Sequence, residues 1–585
     1  MARTVAIDKR SWRVYAVWLL LAAGLLAIVV RLLLLQLQVL DHRHGASFLK
    51  RQGDARVLRT QQLPASRGLI VDRNGELIAH STPMISLWAE PSLVDRSSES
   101  LRALAQDLSL SEQQLRNKLA SDSRFVYLRR RMAPHLADAI LQVGYSGLFS
   151  QVEYQRFYPT SEVAAHLVGF TNIDDQGQEG MELAYNALLR AEAGAKQVMQ
   201  DRLGNKIRDI RLLRAAESGA DLQLSIDMRL QYAAYRELKS AVTHYRARSG
   251  SLVLLDVESG EVLALVNQPS YNPNDRSQLL PADMRNRALI DLFEPGSVVK
   301  PFTLAAAIET GNFSPTTPID TSPGYFRVGK KIFSDPSDYG MLNVKTVLAK
   351  SSQVGTTRIA LDIEPNRIRS LFADVGLGEY CATGFPGEQP GYLPSHRRWS
   401  DIDRATLAFG HGLTVNALQL ARAYAVIAND GLIKPVTLLK QGDSDAGSSR
   451  GERVMSARVA GQVRDMMVAV TEKGGTGTAA QVPGYSVAGK TGTSHKVGGA
   501  GYEKRKYRST FAGMLPASDP KLVAVITIDE PGGEKYFGGE IAAPVFSSVM
   551  RAAVRLLNIA PDSRAQLAAG QSDMSDPESQ SNGSA

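Results

Sequence analysis

The chain has 585 residues, 44% hydrophobic and 22% charged. That balance belongs to folded globular domains and excludes global disorder, a collagen-like helix and a long coiled coil; at about 100–200 residues per domain the length suggests several units. The single cysteine, Cys381, excludes an intrachain disulfide and any multi-cysteine zinc or iron–sulfur site, and a net charge of +8 spread over the whole chain is a weak nucleic-acid signature.

In chain order, the first strong signal is Val14–Val30, an apolar run without a charge. Arg31 interrupts it and Leu32–Leu35 continues it. Spanning hydrocarbon takes about 20 apolar residues, and an arginine at the edge can carry its guanidinium to the interface. The run leads into Gln36-Leu37-Gln38-Val39 rather than a small-residue cleavage site, so residues 14–35 are predicted to be a transmembrane helix rather than a cleaved signal. Basic residues flank it on both sides (Arg3, Lys9, Arg10 and Arg13; Arg43, Lys50 and Arg51), so charge alone does not orient it.

The string Arg67–Ala79 contains Asn74-Gly75 between short apolar runs, which predicts a hairpin with a type I′ turn. Helical periodicity runs through residues 98–143 (Leu101, Leu104, Leu108; Leu136, Ile140, Leu141). Tyr158–Ile207, with the string Gly177–Glu182, reads as turns and short helices. Residues 36–225 show no metal-ligand spacing and no phosphate loop, which leaves them structural or docking work. A boundary is expected at Ser225-Ile226-Asp227. Beyond it the pattern predicts a helix over 228–246, a strand pair at 252–256 and 262–267, a strand at 522–528 and a helix over 544–557 with Pro544 in its first turn. The combination is an α+β sheet covered by helices. The polar stretch 561–585 is expected to be disordered.

Chemistry begins at Ser297-Val298-Val299-Lys300. Ser-x-x-Lys also occurs at Ser47–Lys50 and Ser518–Lys521, so the pattern alone means little. Context separates them. Glu294-Pro295-Gly296 is a turn and Phe302–Thr310 a good helix, and Pro301 fits only near a helix start. Positions i and i+3 share a face, which puts Lys300 beside the Ser297 hydroxyl. A helix N-terminus also offers unpaired amides to a developing oxyanion.

Two further elements follow, 54 and then 139 residues on. Ser351-Ser352-Gln353, after the helix-like stretch 344–350, could be nothing more than a helix cap. Lys490-Thr491-Gly492, followed by Thr493 and Ser494, comes after a candidate strand at 485–488; Lys490 supplies positive charge and the threonines supply donors for a carboxylate. Together the three provide a hydroxyl nucleophile, a base, a proton relay and an anion site without histidine. His411, in Phe409-Gly410-His411-Gly412, reads as a turn residue.

These elements, in this order, resemble the penicillin-binding proteins and serine β-lactamases. The N-terminal span, the Arg67–Ala79 string and residues 156–204 resemble the class B penicillin-binding proteins, and Glu294–Thr303, Ala408–Gln419 and Tyr536–Met550 resemble their division-specific, FtsI-type branch. The resemblance implies an α+β multidomain protein: a cytoplasmic tail (1–13), a single transmembrane helix (14–35), an elongated mixed pedestal domain resembling a dimerisation domain (36–225), a transpeptidase domain with a five-stranded antiparallel sheet covered by helices (226–560) and a tail (561–585). It implies anchoring in the bacterial inner membrane with the catalytic domain in the periplasm. The implied activity is peptidoglycan D,D-transpeptidation in septal cell-wall synthesis and cell division, through a serine acyl-enzyme that β-lactams also form.

The implied catalytic residues are Ser297, Lys300, Ser351 and Lys490. The oxyanion hole falls to the backbone amides of Ser297 and Thr493, and substrate binding to Gln353, Thr491, Gly492 and Thr493. No metal or organic cofactor is implied. Lys300 must be neutral to act as base, with burial and a cationic Lys490 lowering its pKa. The implied partners are a stem-peptide donor ending in D-Ala-D-Ala, an amine acceptor, a SEDS-type glycan polymerase and other division proteins. One position departs from the family pattern: Gln353 stands where Ser-x-Asn has asparagine, keeping the amide but adding a methylene. The alternatives are a D,D-carboxypeptidase or β-lactamase, a β-lactam-binding sensor or scaffold with weak or no transpeptidation, and service in elongation rather than septation.

Overall fold

The structure, a computed structural model, describes residues 11–36, 46–201, 206–442, 451–498 and 501–562. Most of the expected disordered tail, and residues 1–10 of the expected cytoplasmic tail, lie outside the described residues. The chain opens with α1 (Ser11–Gln36), α2 (Ala46–Val57) and β1 (Leu58–Leu63). Next come β2 (Ile70–Val71), β3 (Leu77–Ala89), α3 (Ser98–Asp107), α4 (Glu112–Leu119), β4 (Val126–Met132), α5 (Pro134–Gln142) and β5 (Leu148–Phe157). Then follow β6 (Gly194–Gln200), β7 (Lys206–Arg214) and β8 (Leu222–Gln223).

Two compact units result: residues 1–66 with 191–218, and residues 67–190 with 219–585. The first carries α1, long and apolar enough over Trp12–Leu34 to cross a bilayer, and the antiparallel sheet β1-β6-β7. In the second, β3 is the long central strand of a sheet ordered β4-β3-β2-β8, with β5 also paired to it. A division by compactness therefore keeps residues 67–190 with the catalytic half.

The helical periodicity over 98–143 is observed in α3, α4 and α5, but it hid β4, whose seven residues fall between two helices. The Asn74-Gly75 hairpin forms, pairing Ile70 with Ala79, by a different turn. Only Gly75 has positive φ (87°); Asp72 and Glu76 close a three-residue loop, and the buried Asp72 carboxylate accepts from the amides of Asn74 and Glu76. Those two bonds favour the wider loop over a two-residue turn. The strings singled out at 67–79 and 177–182 meet: Glu182 lies between Arg67 and Arg156, 2.6 Å from each, all three side chains essentially sealed from water.

The rest of the second unit begins with α6 (Met228–His244), β9 (Ser249–Asp256), β10 (Val262–Gln268) and α7 (Lys300–Glu309). It continues with the hairpin β11 (Tyr325–Val328) and β12 (Lys331–Ser334), then α8 (Val344–Lys350), α9 (Gln353–Asp362), α10 (Ala417–Ala428) and α11 (Ala457–Thr471). It closes with β13 (Ala488–Gly498), β14 (Gly501–Leu515), β15 (Leu522–Asp529) and α12 (Gly538–Leu556). The five-stranded sheet runs β10-β9-β15-β14-β13, antiparallel throughout.

Its strands β9 and β15 are buried at nearly every position because both faces are covered. On β9, Leu252 and Leu254 point into a core with α6 and α12, whereas Val253 and Leu255 point into a core with α7, α10 and α11. The period-two alternation of strand side chains divides the two cores. Helix α12 starts six residues before the predicted position, which leaves Pro544 in its interior. A proline there removes the hydrogen bond to the carbonyl four residues back. That carbonyl, Glu540 O, instead accepts from the Tyr245 hydroxyl at 3.2 Å.

Candidate active site

Ser297 sits on a single 3-10 turn, Gly296–Val299, that runs straight into α7. Pro301 lies in the first turn of α7, as its missing amide requires. Gly296 has φ of 61°, and its amide donates to Gly410 O at 3.1 Å. A Cβ on Gly410 would lie 2.2 Å from Gly296 O, so the loop around His411 can lie against the turn only as glycine. The turn is also tied to β13. Ser494 Oγ donates to Glu294 O at 3.0 Å, and a Cβ on Gly492 would come within 2.9 Å of Val298 Cγ1. Ser297 itself is half-buried at the surface of this junction.

One turn on, Lys300 is completely buried. Its Nζ donates to Ser351 O at 2.6 Å and to Ser352 O at 3.3 Å, and lies 3.3 Å from Ser351 Oγ. Ser351 ends α8 in the left-handed region (φ 57°, ψ 35°), which turns the chain sharply between α8 and α9 and leaves its hydroxyl between the two lysines. The helix cap is the neighbouring Ser352, whose Oγ accepts from Gly355 N at 2.9 Å. Lys490, also completely buried, reaches the same Ser351 hydroxyl from β13 at 2.9 Å and donates to Thr491 O at 3.0 Å. The candidate strand at 485–488 is shorter than expected: pairing begins at Ala488, because Tyr485 closes a turn with Val482, and this sets Lys490, Thr491 and Gly492 within β13.

The remaining predicted residues fall close by. Gln353 is the partly exposed first residue of α9. Thr493 Oγ1 accepts from Gly538 N at 3.0 Å and is partly exposed. Thr491 is buried, its hydroxyl 2.8 Å from Thr476 Oγ1, so Thr493 is the better exposed of the two hydroxyls. Ser518 is elsewhere: its hydroxyl donates to Asp562 and Lys521 pairs with Asp519, which makes that Ser-x-x-Lys a surface turn. Among the described residues no group of three or more His, Cys, Asp or Glu side chains is placed to hold a metal ion.

The electrostatics differ from expectation at Lys490. Burial lowers the Lys300 pKa from 10.5 to about 7, against an upward pull from Asp335. Burial and then the nearby Lys300 push Lys490 well below its ordinary value. Lys490 was expected to be the fixed cation that depresses Lys300. Instead, dehydration is the larger cause for both, and Lys490 is itself driven toward the neutral form because no carboxylate offsets it.

Two residues escaped sequence reasoning. Asp335, just after β12, accepts from Ser352 Oγ (2.5 Å), Gln353 N (2.5 Å) and Val354 N (3.3 Å). Glu294, one turn before the nucleophile, accepts from Gly412 N at 2.8 Å and from the Tyr502 hydroxyl at 3.0 Å. Neither has a local signature; Asp335 lies in Ser-Asp-Pro-Ser-Asp, which reads as a turn. Burial pushes the His411 pKa down and its Nδ1 has no hydrogen-bond partner.

Comparison with known proteins agrees with this geometry. Residues 250–551 match the family described as "Penicillin binding protein transpeptidase domain", and residues 62–224 match "Penicillin-binding Protein dimerisation domain". The chain belongs to the class B penicillin-binding proteins. It is 41% identical over 557 residues to "Probable peptidoglycan D,D-transpeptidase PbpC" of Pseudomonas aeruginosa, covering 95% of this chain and 97% of that protein. It is 40% identical over 521 residues to "Peptidoglycan D,D-transpeptidase FtsI" of Escherichia coli, covering 88% and 87%. The transpeptidase domain of penicillin-binding protein 3 from Burkholderia pseudomallei shares 40% identity with a TM-score of 0.54, over 58% of this chain and 98% of that one. A peptidoglycan synthetase from Bifidobacterium adolescentis, 24% identical, has the same fold across 86% of this chain and 98% of that one (TM-score 0.67). In this penicillin-binding protein α1 is a single-pass membrane anchor candidate by length and composition.

Proposed function

We propose that the chain is a peptidoglycan D,D-transpeptidase of septal wall synthesis, acting through an acyl-enzyme on Ser297. The observation that carries this reading is the meeting of Lys300 and Lys490 on one hydroxyl, Ser351 Oγ, a single helical turn from Ser297. Ser297 Oγ attacks the carbonyl of the penultimate D-alanine of a stem peptide while its proton passes to Lys300 Nζ. A pKa of about 7 leaves a substantial neutral fraction of that lysine near neutral pH, where a general base works best. The backbone amides of Ser297 and Thr493 hold the oxyanion. Ser351, between the two amines, passes a proton to the departing D-alanine nitrogen. Thr493, with Thr491 and Gly492 shaping the strand edge, receives the terminal carboxylate, and Gln353 contacts the peptide amide.

An amine of a neighbouring stem peptide then attacks the ester carbonyl, forming the cross-link and returning the proton to Ser297. Dividing one hard displacement into two acyl transfers is the gain of covalent catalysis. β-Lactams enter the first step and stop there. The domain plan we propose is an anchor at 14–35, a pedestal at 36–225 and a transpeptidase domain at 226–560, with the catalytic domain in the periplasm, where its substrate lies. The FtsI-type relative supports a septal role, and the partners we propose for it are a SEDS-type glycan polymerase and other division proteins.

Intact-mass measurement after benzylpenicillin tests the reading. The wild type should gain one ligand mass and Ser297→Ala none; an adduct that persists in the variant removes the nucleophile.

A further inference from the structure

The two buried lysines form an internal comparison. Both are sealed from water, both lie on Ser351 Oγ, and each makes at least one carbonyl contact of 3.0 Å or less. Two ammonium groups this close in a dry pocket repel, and the pocket favours one proton over two. Contact with the Ser351 hydroxyl does not by itself separate the two amines. What distinguishes them is on the far side of the α8–α9 junction. Asp335 is held there by Ser352 Oγ and by the amides of Gln353 and Val354, at the N-terminus of α9. Lys300 Nζ bonds the carbonyl of that same Ser352.

We propose that Asp335 is a positioning residue for the acyl transfer: fixed at the start of α9, beside the backbone carbonyl that Lys300 bonds, its carboxylate acts by its charge to direct the shared proton to Lys300 rather than Lys490, and so chooses which amine is the base. The electrostatic directions agree. Among the described residues Asp335 is the carboxylate that acts on Lys300, and it acts upward, whereas Lys490 is pushed down by burial and by Lys300. The other titratable groups facing this pocket are Lys490 on β13 and His411 on the glycine loop, the latter in turn near Glu294 and Lys331. Without Asp335, Lys300 would follow Lys490 downward and become too weak a base for a serine hydroxyl. With it, the proton leaving Ser297 Oγ as the new C–O bond forms has one destination, and Lys490 is left to hold Ser351 in place.

The test is the pH profile of acylation of the full-length protein in detergent, read as the rate of benzylpenicillin adduct formation. The wild-type rate should rise through an acid limb near pH 7 and level above it. Asp335→Asn keeps an acceptor oxygen for the α9 amides but removes the charge. Its acid limb should move down by about one pH unit or more, with a lower plateau. Asp335→Ser should move it in the same direction, and Asp335→Glu should restore it. Ser352→Ala keeps the charge and loses the cap, so its limb should stay with the wild type while stability falls.

An unmoved limb in both charge-removing variants overturns the proposal. So does a complete loss of labelling at every pH in both, which assigns Asp335 a purely structural task, and so does a shift in Ser352→Ala as large as in Asp335→Asn. The proposal rests on the acyl-enzyme reading above. Failure of that reading would appear as a wild type with no Ser297 adduct, and failure of this one as an adduct whose pH limb ignores Asp335.

Discussion

Two of the buried charge clusters in the catalytic unit are organised in opposite ways. At Arg67–Glu182–Arg156 each guanidinium faces a carboxylate oxygen at 2.6 Å, and Arg67 is further satisfied by Glu182 O and Asn186 Oδ1 at 2.9 Å. At Lys300 and Lys490 two amines share a hydroxyl and a single carboxylate stands one residue further off. The first arrangement sets a carboxylate oxygen against each guanidinium charge. The second makes charge expensive, and so makes a proton easy to move. Pairing marks structure here, and incomplete pairing marks chemistry.

The difference can be broken from either side. Lys300→Met should slow benzylpenicillin acylation by about 10²–10⁴-fold, measured by adduct formation over time. Its thermal midpoint should hold or rise, because the group removed is one the fold bears at a cost. Glu182→Ala should do the reverse. It strands two buried guanidinium groups and should destabilise the fold by about 3–5 kcal/mol, seen in thermal unfolding by tryptophan fluorescence; protein that remains folded should still acylate. If Lys300→Met unfolds the chain as badly as Glu182→Ala, the contrast between the two sites is lost.

A further effect is on stability against pH. Lys300 holds a proton up to its ordinary 10.5 in the unfolded chain but only to about 7 when folded. Between those values the unfolded state binds more protons, so this lysine's contribution to stability climbs with pH across that window. Lys300→Met should flatten the climb in a series of thermal midpoints from pH 7 to 10.

How far the sequence reached depends on how local each feature is. Ser297 and Lys300 were legible because an i, i+3 pair beside a proline has only one helical placement. Lys490 was legible because a lysine before two small residues on a strand is a recognisable pattern. Three strands of the sheet, at 252–256, 262–267 and 522–528, were legible as apolar runs, whereas its five-stranded order came only with the family resemblance. Asp335 was not legible: its bonds go to residues 17 to 19 positions away, and nothing in its own neighbourhood distinguishes it from a turn aspartate. Ser351 was only half legible. A helix cap was foreseen, but Ser352 is the cap and Ser351 takes the left-handed turn that aims its hydroxyl. Pro544 was misplaced because the helix begins six residues before it, at Gly538, and the carbonyl the proline leaves unanswered accepts from a tyrosine nearly 300 residues earlier.

The hairpin at 70–79 has a wider consequence. The Asp72 carboxylate that closes its loop also accepts from Met228 N at 3.1 Å, the first amide of α6, and Arg73 N donates to Ile226 O at 2.9 Å. Stretches that a parsing of the chain would assign to separate domains therefore complete each other's backbone. Heating should melt residues 67–80 and the start of the catalytic half in one cooperative step, and a fragment cut to begin at 226 would carry an unanswered amide and carbonyl at its first helix.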